Sequence, residues 1–167
     1  GTVGHIGVFS LNVHKHLTAG EGGVVVTNDA GLSVKIHDAI NHGELSGGFP
    51  GLNLRMTEPT AAIAVAQLGR VDDVMENRRE LAREMSQMVR DIPGVAAPRE
   101  AYGCRHVYYI WAATITKDRR HEFVEALNER GLPMNLGYSP LLNRIFGDGF
   151  LLNKFPVAER LEDRELI

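Results

Sequence analysis

One lysine, Lys15, stands between two histidines in the stretch Phe9-Ser10-Leu11-Asn12-Val13-His14-Lys15-His16-Leu17-Thr18-Ala19-Gly20-Glu21-Gly22-Gly23. An amine held in a loop between two buried strands is poorly hydrated, which favours the neutral form that carbonyl chemistry requires. Ser10, at the end of the preceding apolar run, places a hydroxyl where a phosphate can be bound. Gly20, Gly22 and Gly23 allow tight turns and close approach of backbone to a ligand. On these residues alone, a solvated loop lysine is the plainer reading. Two nucleotide-binding alternatives are absent: neither a G-x-x-x-x-G-K-[ST] phosphate loop nor a strand-bound G-x-G-x-x-G fingerprint occurs. His14 and His16 form an i, i+2 pair with no third ligand nearby, a weak basis for a metal site, and they read better as packing groups around Lys15.

The elements that must position this loop are legible in outline. Ile6 to Ser10 and Val24 to Val26 read as short strands, and their unbroken apolar character suits a sheet covered on both faces, as in α/β proteins. Asp29 can cap a helix covering about Leu32 to Ile40. Residues 41 to 55 are rich in Gly and Pro and read as a long loop. Thr57 is a candidate N-cap, Pro59 falls in the first turn, and helix is predicted over Glu58 to Ile92, with a kink near Gly69 and Pro93-Gly94 as its end. Ala61 to Leu68 is apolar all round and is expected to be buried; beyond Gly69 the apolar stripe Val71, Val74, Leu81, Met85, Met88, Val89 and Ile92 is expected to face inward. Next come a strand over His106 to Thr116, a helix from about Arg119 to Arg130 capped by Asp118 and Gly131, and a strand over Leu132 to Leu136. Residues 138 to 156 read as irregular, and a final charged helix contains Leu161. This order places a domain boundary inside the long helix: residues 1–70 as the back of a large α/β domain and 71–167 as a smaller α+β domain.

Composition narrows the function classes. The 167 residues are 44% hydrophobic and 23% charged, with a formal net charge of −3. That is the profile of a globular protein with no basic field for nucleic acid or an anionic membrane, and no apolar run is long enough for a membrane span. The single cysteine, Cys104, cannot form an internal disulfide, which fits the cytoplasm, and it reads as a half-buried residue at a strand entrance. The chain opens on Gly1-Thr2-Val3-Gly4 without Met and stops within a charged stretch at Glu165-Leu166-Ile167, which reads as the C-terminal part of a longer protein.

Three segments together carry a family resemblance. Phe9-Ser10, Lys15 and Thr18 to Gly23, then Asn41-His42-Gly43, then Gly51-Leu52-Asn53-Leu54-Arg55-Met56-Thr57-Glu58 with Ala61-Ala62-Ile63 and Gln67-Leu68, resemble the DegT/StrS-type sugar aminotransferases in order and spacing. The resemblance implies an incomplete fold-type-I, pyridoxal 5′-phosphate (PLP)-dependent α/β fold. It also implies transfer of an amino group from L-glutamate or L-glutamine to a nucleotide-linked keto-sugar. By the same resemblance, Lys15 matches the catalytic lysine that holds PLP as a Schiff base and moves the proton, and Ser10 matches a hydroxyl on the PLP phosphate. Asn53 matches an asparagine that reaches the partner subunit's PLP phosphate, which makes a homodimer part of the site. Arg55 matches a family position for either a phosphate contact or a structural ion pair, and His42 reads as a loop-fixing residue. A branch of the family with histidine in place of the lysine performs deoxygenation, so Lys15 favours amination. A cyclitol aminotransferase, a sugar dehydratase or a non-catalytic relative are the alternatives. The family's remaining cofactor contacts, an aspartate on the pyridine nitrogen among them, are expected before Gly1. Substrate choice is expected in residues 42–52 and 134–150, with Tyr102, His106, Tyr108 and Tyr138 as aromatic candidates that read more plainly as core.

Overall fold

A computed structural model describes residues 3–48, 50–115, 119–137, 141–145, 155–162 and 165–166. The chain divides into two compact units, Gly1–Met75 and Glu76–Ile167.

In the first unit, β1 (Gly7–Ser10) and β2 (Gly23–Val26) form an antiparallel pair, with Gly7 opposite Val26 and Ser10 opposite Gly23. The expectation of two-sided burial is not met. Every residue of β2 is exposed, as are Val8 and Phe9 of β1, because among the described residues each strand pairs only with the other. Helix α1 (Ala30–Ile40) starts where predicted: the Asp29 carboxylate accepts from Leu32 N at 2.9 Å and satisfies one of the free N-terminal donors. Helix α2 (Glu58–Leu68) is capped by Thr57, with Pro59 in its first turn. Its apolar surface, expected to be buried, is open: Ile63, Val65 and Leu68 are all exposed.

At Gly69, where a kink in one continuous helix is expected, the chain instead breaks, separating α2 from α3 (Val71–Met88). Helix α3 ends four residues before Ile92, since Arg90 N and Ile92 N bond three residues back and tighten the chain into turns, and Gly94 adopts φ 80°. Its covered face in the second unit is not the predicted stripe. Leu81 and Met88 are exposed, whereas Ala82 is buried at 2%. The reason is polar. Arg78 donates to the carbonyls of Tyr108 and Tyr109, Arg79 donates to that of His106, and Ser86 Oγ accepts from the Trp111 indole at 3.0 Å.

Those bonds also explain why the predicted strand over His106 to Thr116 shrinks to β4 (Ala113–Ile115). The carbonyls of residues 106, 108 and 109 are engaged by arginines, and Tyr108 sits at φ 44°, outside the β region. Cys104 accordingly lies in an exposed turn, not half-buried at a strand entrance. β4 pairs antiparallel with β3 (Val95–Ala96) on one side and β5 (Glu165–Leu166) on the other. The last of these replaces part of the charged helix expected at the C-terminus; the helical portion is α6 (Pro156–Glu162), preceded by the short α5 (Leu142–Ile145).

Helix α4 (Arg120–Glu129) packs Val124 and Phe123 on Ile115, with Val95 and Met134 beside them. Gly131, at φ 80°, ends it as predicted: Gly131 N bonds Asn128 O and Leu132 N bonds Leu127 O, both at 3.0 Å, the paired bonds of a Schellman cap. No strand forms over Leu132 to Leu136, because the Asn128 carboxamide takes both the N–H and the carbonyl of Met134 at 2.9 and 3.0 Å. The Asp118 cap, Tyr138 and most of the irregular stretch 138 to 156 lie outside the described residues.

Candidate functional site

The Lys15 loop is a folded structure pinned at two buried apolar residues, Leu11 (4% exposed) and Ala19 (7%). Leu11 N bonds Gly22 O and Ala19 N bonds Leu11 O, each at 2.9 Å, so the strand pairing continues past Ser10 and then closes the loop at its neck. Inside the loop Asn12 is the organiser. Its N–H donates to Ser10 Oγ at 3.3 Å, its carbonyl accepts from Lys15 N at 2.9 Å, and its side-chain oxygen accepts from His14 N at 3.1 Å. Its Nδ2 crosses to Glu21 Oε1 at 2.7 Å and ties the outgoing limb to the returning one. Ser10 and Lys15 are thereby fixed relative to one another through a single residue. The Ser10 hydroxyl is exposed, Lys15 is half-buried, and His16 beside it is half-buried as well.

The second part of the site grows from the end of α1. Asp38 is buried at 5%, and its carboxylate accepts from Leu45 N at 3.0 Å, from Ser46 N at 3.4 Å and from the Ser46 hydroxyl. The Ser46 hydroxyl, then the backbone donors of Leu45 and Ser46, hold its carboxyl below the ordinary value against the opposing effect of burial. Gly43 N bonds Asp38 O at 2.8 Å, and His42 adopts the left-handed conformation at φ 61°. The returning chain is stitched to this turn: His42 N to Leu52 O, Leu52 N to Ala39 O and Leu54 N to Ile40 O, with Asn41 bridging Asn53. Gly51 has no alternative here. A Cβ built on it would lie 2.3 Å from Gly43 N, 2.6 Å from the His42 carbonyl carbon and 2.7 Å from Asp38 O, all backbone atoms.

Asn53 and Arg55 project from this stitched segment. Arg55 Nε donates to Asn53 Oδ1 at 3.1 Å, and its Nη2 lies 3.2 Å from His42 Nε2. Among the described residues Arg55 meets no carboxylate; its partners are a carboxamide and an imidazole. The two segments meet at Gly22, whose added Cβ would lie 3.2 Å from Met56 Cε and 3.8 Å from Thr60 Cγ2. The turn behind Lys15 therefore packs on the start of α2, immediately after Asn53 and Arg55. Sequence reasoning had missed Asn12, Glu21 and Asp38 as the residues that hold this arrangement. Asp38 carried a usable signal: a carboxylate in the last turn of a helix faces the negative end of the dipole and is stable there only with donors from the following loop.

Comparisons with known proteins agree with one another. The model of the DegT/DnrJ/EryC1/StrS aminotransferase family matches residues 1–167. GDP-perosamine synthase of Vibrio cholerae is 34% identical over 127 residues, which take in 73% of this chain and 34% of that protein. The aminotransferase TlmJ from Streptoalloteichus hindustanus superposes with a TM-score of 0.87 at 25% identity, over 99% of this chain and 46% of its own. DesI, solved in the presence of its TDP-sugar product, gives 0.86 at 27% identity, over 99% and 44%. The chain thus spans less than half the length of each of these relatives. It carries part of the fold-type-I α/β architecture of these PLP-dependent enzymes.

Proposed function

Because this chain belongs to the DegT/DnrJ/EryC1/StrS aminotransferase family, we propose that the whole protein moves an amino group from L-glutamate or L-glutamine to a nucleotide-linked keto-sugar, with PLP as cofactor and Lys15 as the amine that holds it. The observation that supports this reading is the contact at Gly22: the turn behind Lys15 packs on Met56 and Thr60, which directly follow the segment of Asn53 and Arg55. Residues 1–70 are read as the end of the large cofactor-binding domain and 71–167 as the greater part of the small one.

The residues present fit the cofactor. Ser10 offers an exposed hydroxyl and Asn53 an exposed carboxamide, both suited to phosphate oxygens. Gly23, opposite Ser10, leaves the backbone bare there, since a Cβ would press on Phe9 O at 3.1 Å. When bound, PLP supplies an aldehyde carbon that takes up the amino group and a ring that withdraws electrons from the carbon being deprotonated. Lys15 Nζ then has two tasks, to bind that carbon when no substrate does and to carry a proton between the two carbons of the transfer. The Asn12 network limits where the amine can go, because the backbone N–H groups of His14 and of Lys15 itself are both bonded to Asn12. In this reading Asn53 serves the site of a second copy, so the active form is a homodimer. Lysine at position 15, where a dehydrating relative would carry histidine, supports amination over deoxygenation.

The test is direct. Whole protein incubated with PLP and reduced with borohydride should carry the pyridoxyl group on Lys15, read by peptide mass, and L-glutamate should bleach the cofactor's absorbance band near the visible edge. Labelling that persists elsewhere in Lys15→Ala would defeat the assignment of the lysine. A labelled protein whose band ignores every amino donor would favour the dehydratase reading instead.

A further inference from the structure

The Arg55 guanidinium is shared between two side chains, and its chemistry decides which atom each of them can offer. Nε donates to Asn53 Oδ1 at 3.1 Å, and Nη2 lies 3.2 Å from His42 Nε2. A guanidinium carries donors and no acceptor. The carboxamide atom facing Nε is therefore the oxygen of Asn53, and the ring nitrogen facing Nη2 accepts through its lone pair. That leaves the Asn53 amino group, Nδ2, as the end of the carboxamide turned away from Arg55. Among the described residues Nδ2 donates to nothing.

The backbones that carry this relay are already fixed. Leu52 N and Leu54 N bond Ala39 O and Ile40 O at 2.8 and 2.9 Å on either side of Asn53, which itself bridges Asn41. His42 is held in the left-handed conformation at φ 61°, with its N–H on Leu52 O at 3.2 Å. With the backbone set, the loosest freedom left to Asn53 is the flip of its terminal torsion, which exchanges oxygen and nitrogen at little intrinsic cost. The flip matters for any acceptor-only ligand. One orientation presents a donor to a phosphate oxygen, and the other presents a second oxygen to it. Arg55 removes the wrong orientation, because the flip would set Nδ2 against Nε, donor against donor.

We propose that Arg55 is a positioning residue that locks the Asn53 carboxamide with Nδ2 outward, and that His42 sets the angle of the guanidinium that does so. The role rests on the reading in which Asn53 meets a PLP phosphate, and it gives Arg55 and His42 work that needs no contact with that phosphate. It also separates orientation from charge. A lysine at position 55 would keep the positive charge but lose the rigid fork that reaches Asn53 and His42 at once.

The test is to titrate the whole protein with PLP and, separately, with pyridoxal, which has the same ring and aldehyde but no phosphate. Dissociation constants are read from the cofactor's absorbance. Asn53→Ala should weaken PLP by about tenfold or more and leave pyridoxal within about twofold of the parent. Arg55→Lys should weaken PLP by about threefold or more, spare pyridoxal, and add nothing in the Asn53→Ala background, since Arg55 acts only through Asn53. His42→Leu should reproduce the loss seen in Arg55→Lys, and His42→Gln, which keeps an acceptor for Nη2, should recover most of it. Unaltered pyridoxal binding also shows that each variant is folded. Parent-like PLP affinity in Arg55→Lys, a loss that adds in full to that of Asn53→Ala, or an equal loss for pyridoxal would overturn the positioning role. Parent-like PLP affinity in Asn53→Ala would overturn the placement of Asn53 on the phosphate, and the role of Arg55 with it. A parent protein that takes up no PLP at Lys15 would overturn the amino-transfer reading as a whole.

Discussion

Replacing Gly51 by alanine adds one methyl group at the point where the Asn53 segment crosses the end of α1. The three atoms it would meet lie at 2.3, 2.6 and 2.7 Å and all belong to backbone, so no side chain can rotate aside. Gly51 is not among the residues of positive φ; the penalty is one of space, not of conformation. Overpacking of this kind costs about 1–3 kcal/mol, and rigid backbone on every side places Gly51→Ala near the top, about 3 kcal/mol. The strain is relieved by parting the two segments, which breaks the bonds from Leu52 N to Ala39 O at 2.8 Å and from Leu54 N to Ile40 O at 2.9 Å. Amide hydrogen exchange at Leu52 and Leu54 reads that opening, and 3 kcal/mol corresponds to exchange faster by roughly a hundredfold. Gly47→Ala is the matched control. Gly47 has φ 63° and nothing within 4 Å of the added methyl, so it should cost about 1 kcal/mol from conformation alone and leave those two amides protected. Protection in Gly51→Ala within a few-fold of the parent protein would refute the steric argument, and with it the claim that Gly51 sets the position of Asn53 and Arg55.

Two further outcomes follow from the same physical bookkeeping. The Asp38 carboxyl is held below its ordinary 3.8, so its contribution is complete above that value and is lost as pH falls through the lower folded one; exchange at Leu45 and Ser46 should accelerate below about pH 4, and Asp38→Asn should abolish that acid sensitivity. Asn128→Ala removes both bonds to the Met134 backbone and should lower stability by about 1 kcal/mol, water replacing part of what is lost, with the Met134 amide the most affected in an exchange experiment.

What the sequence alone determined is local in origin. The caps at Asp29 and Thr57 and the Schellman end at Gly131 depend on one residue type meeting one backbone conformation, and all three lie where their residues predicted; Gly69 marks the expected place, though as a break where a kink was expected. Motif order and spacing across residues 9–68 sufficed for the family. What tertiary structure decided is where long side chains replace backbone partners. Arg78 and Arg79 take the carbonyls of residues 106–109, and Asn128 takes both polar groups of Met134; in each case a predicted strand is shortened or lost, since a backbone group bonded to a side chain is no longer offered to a ladder. No periodicity carries that information. The same holds for the candidate site. Ser10, Lys15 and Asn53 could be named from their motifs, but that Asn12 links the first two, that Gly22 packs on Met56 and that Gly51 has no room for a methyl are facts of contact between segments distant in the chain.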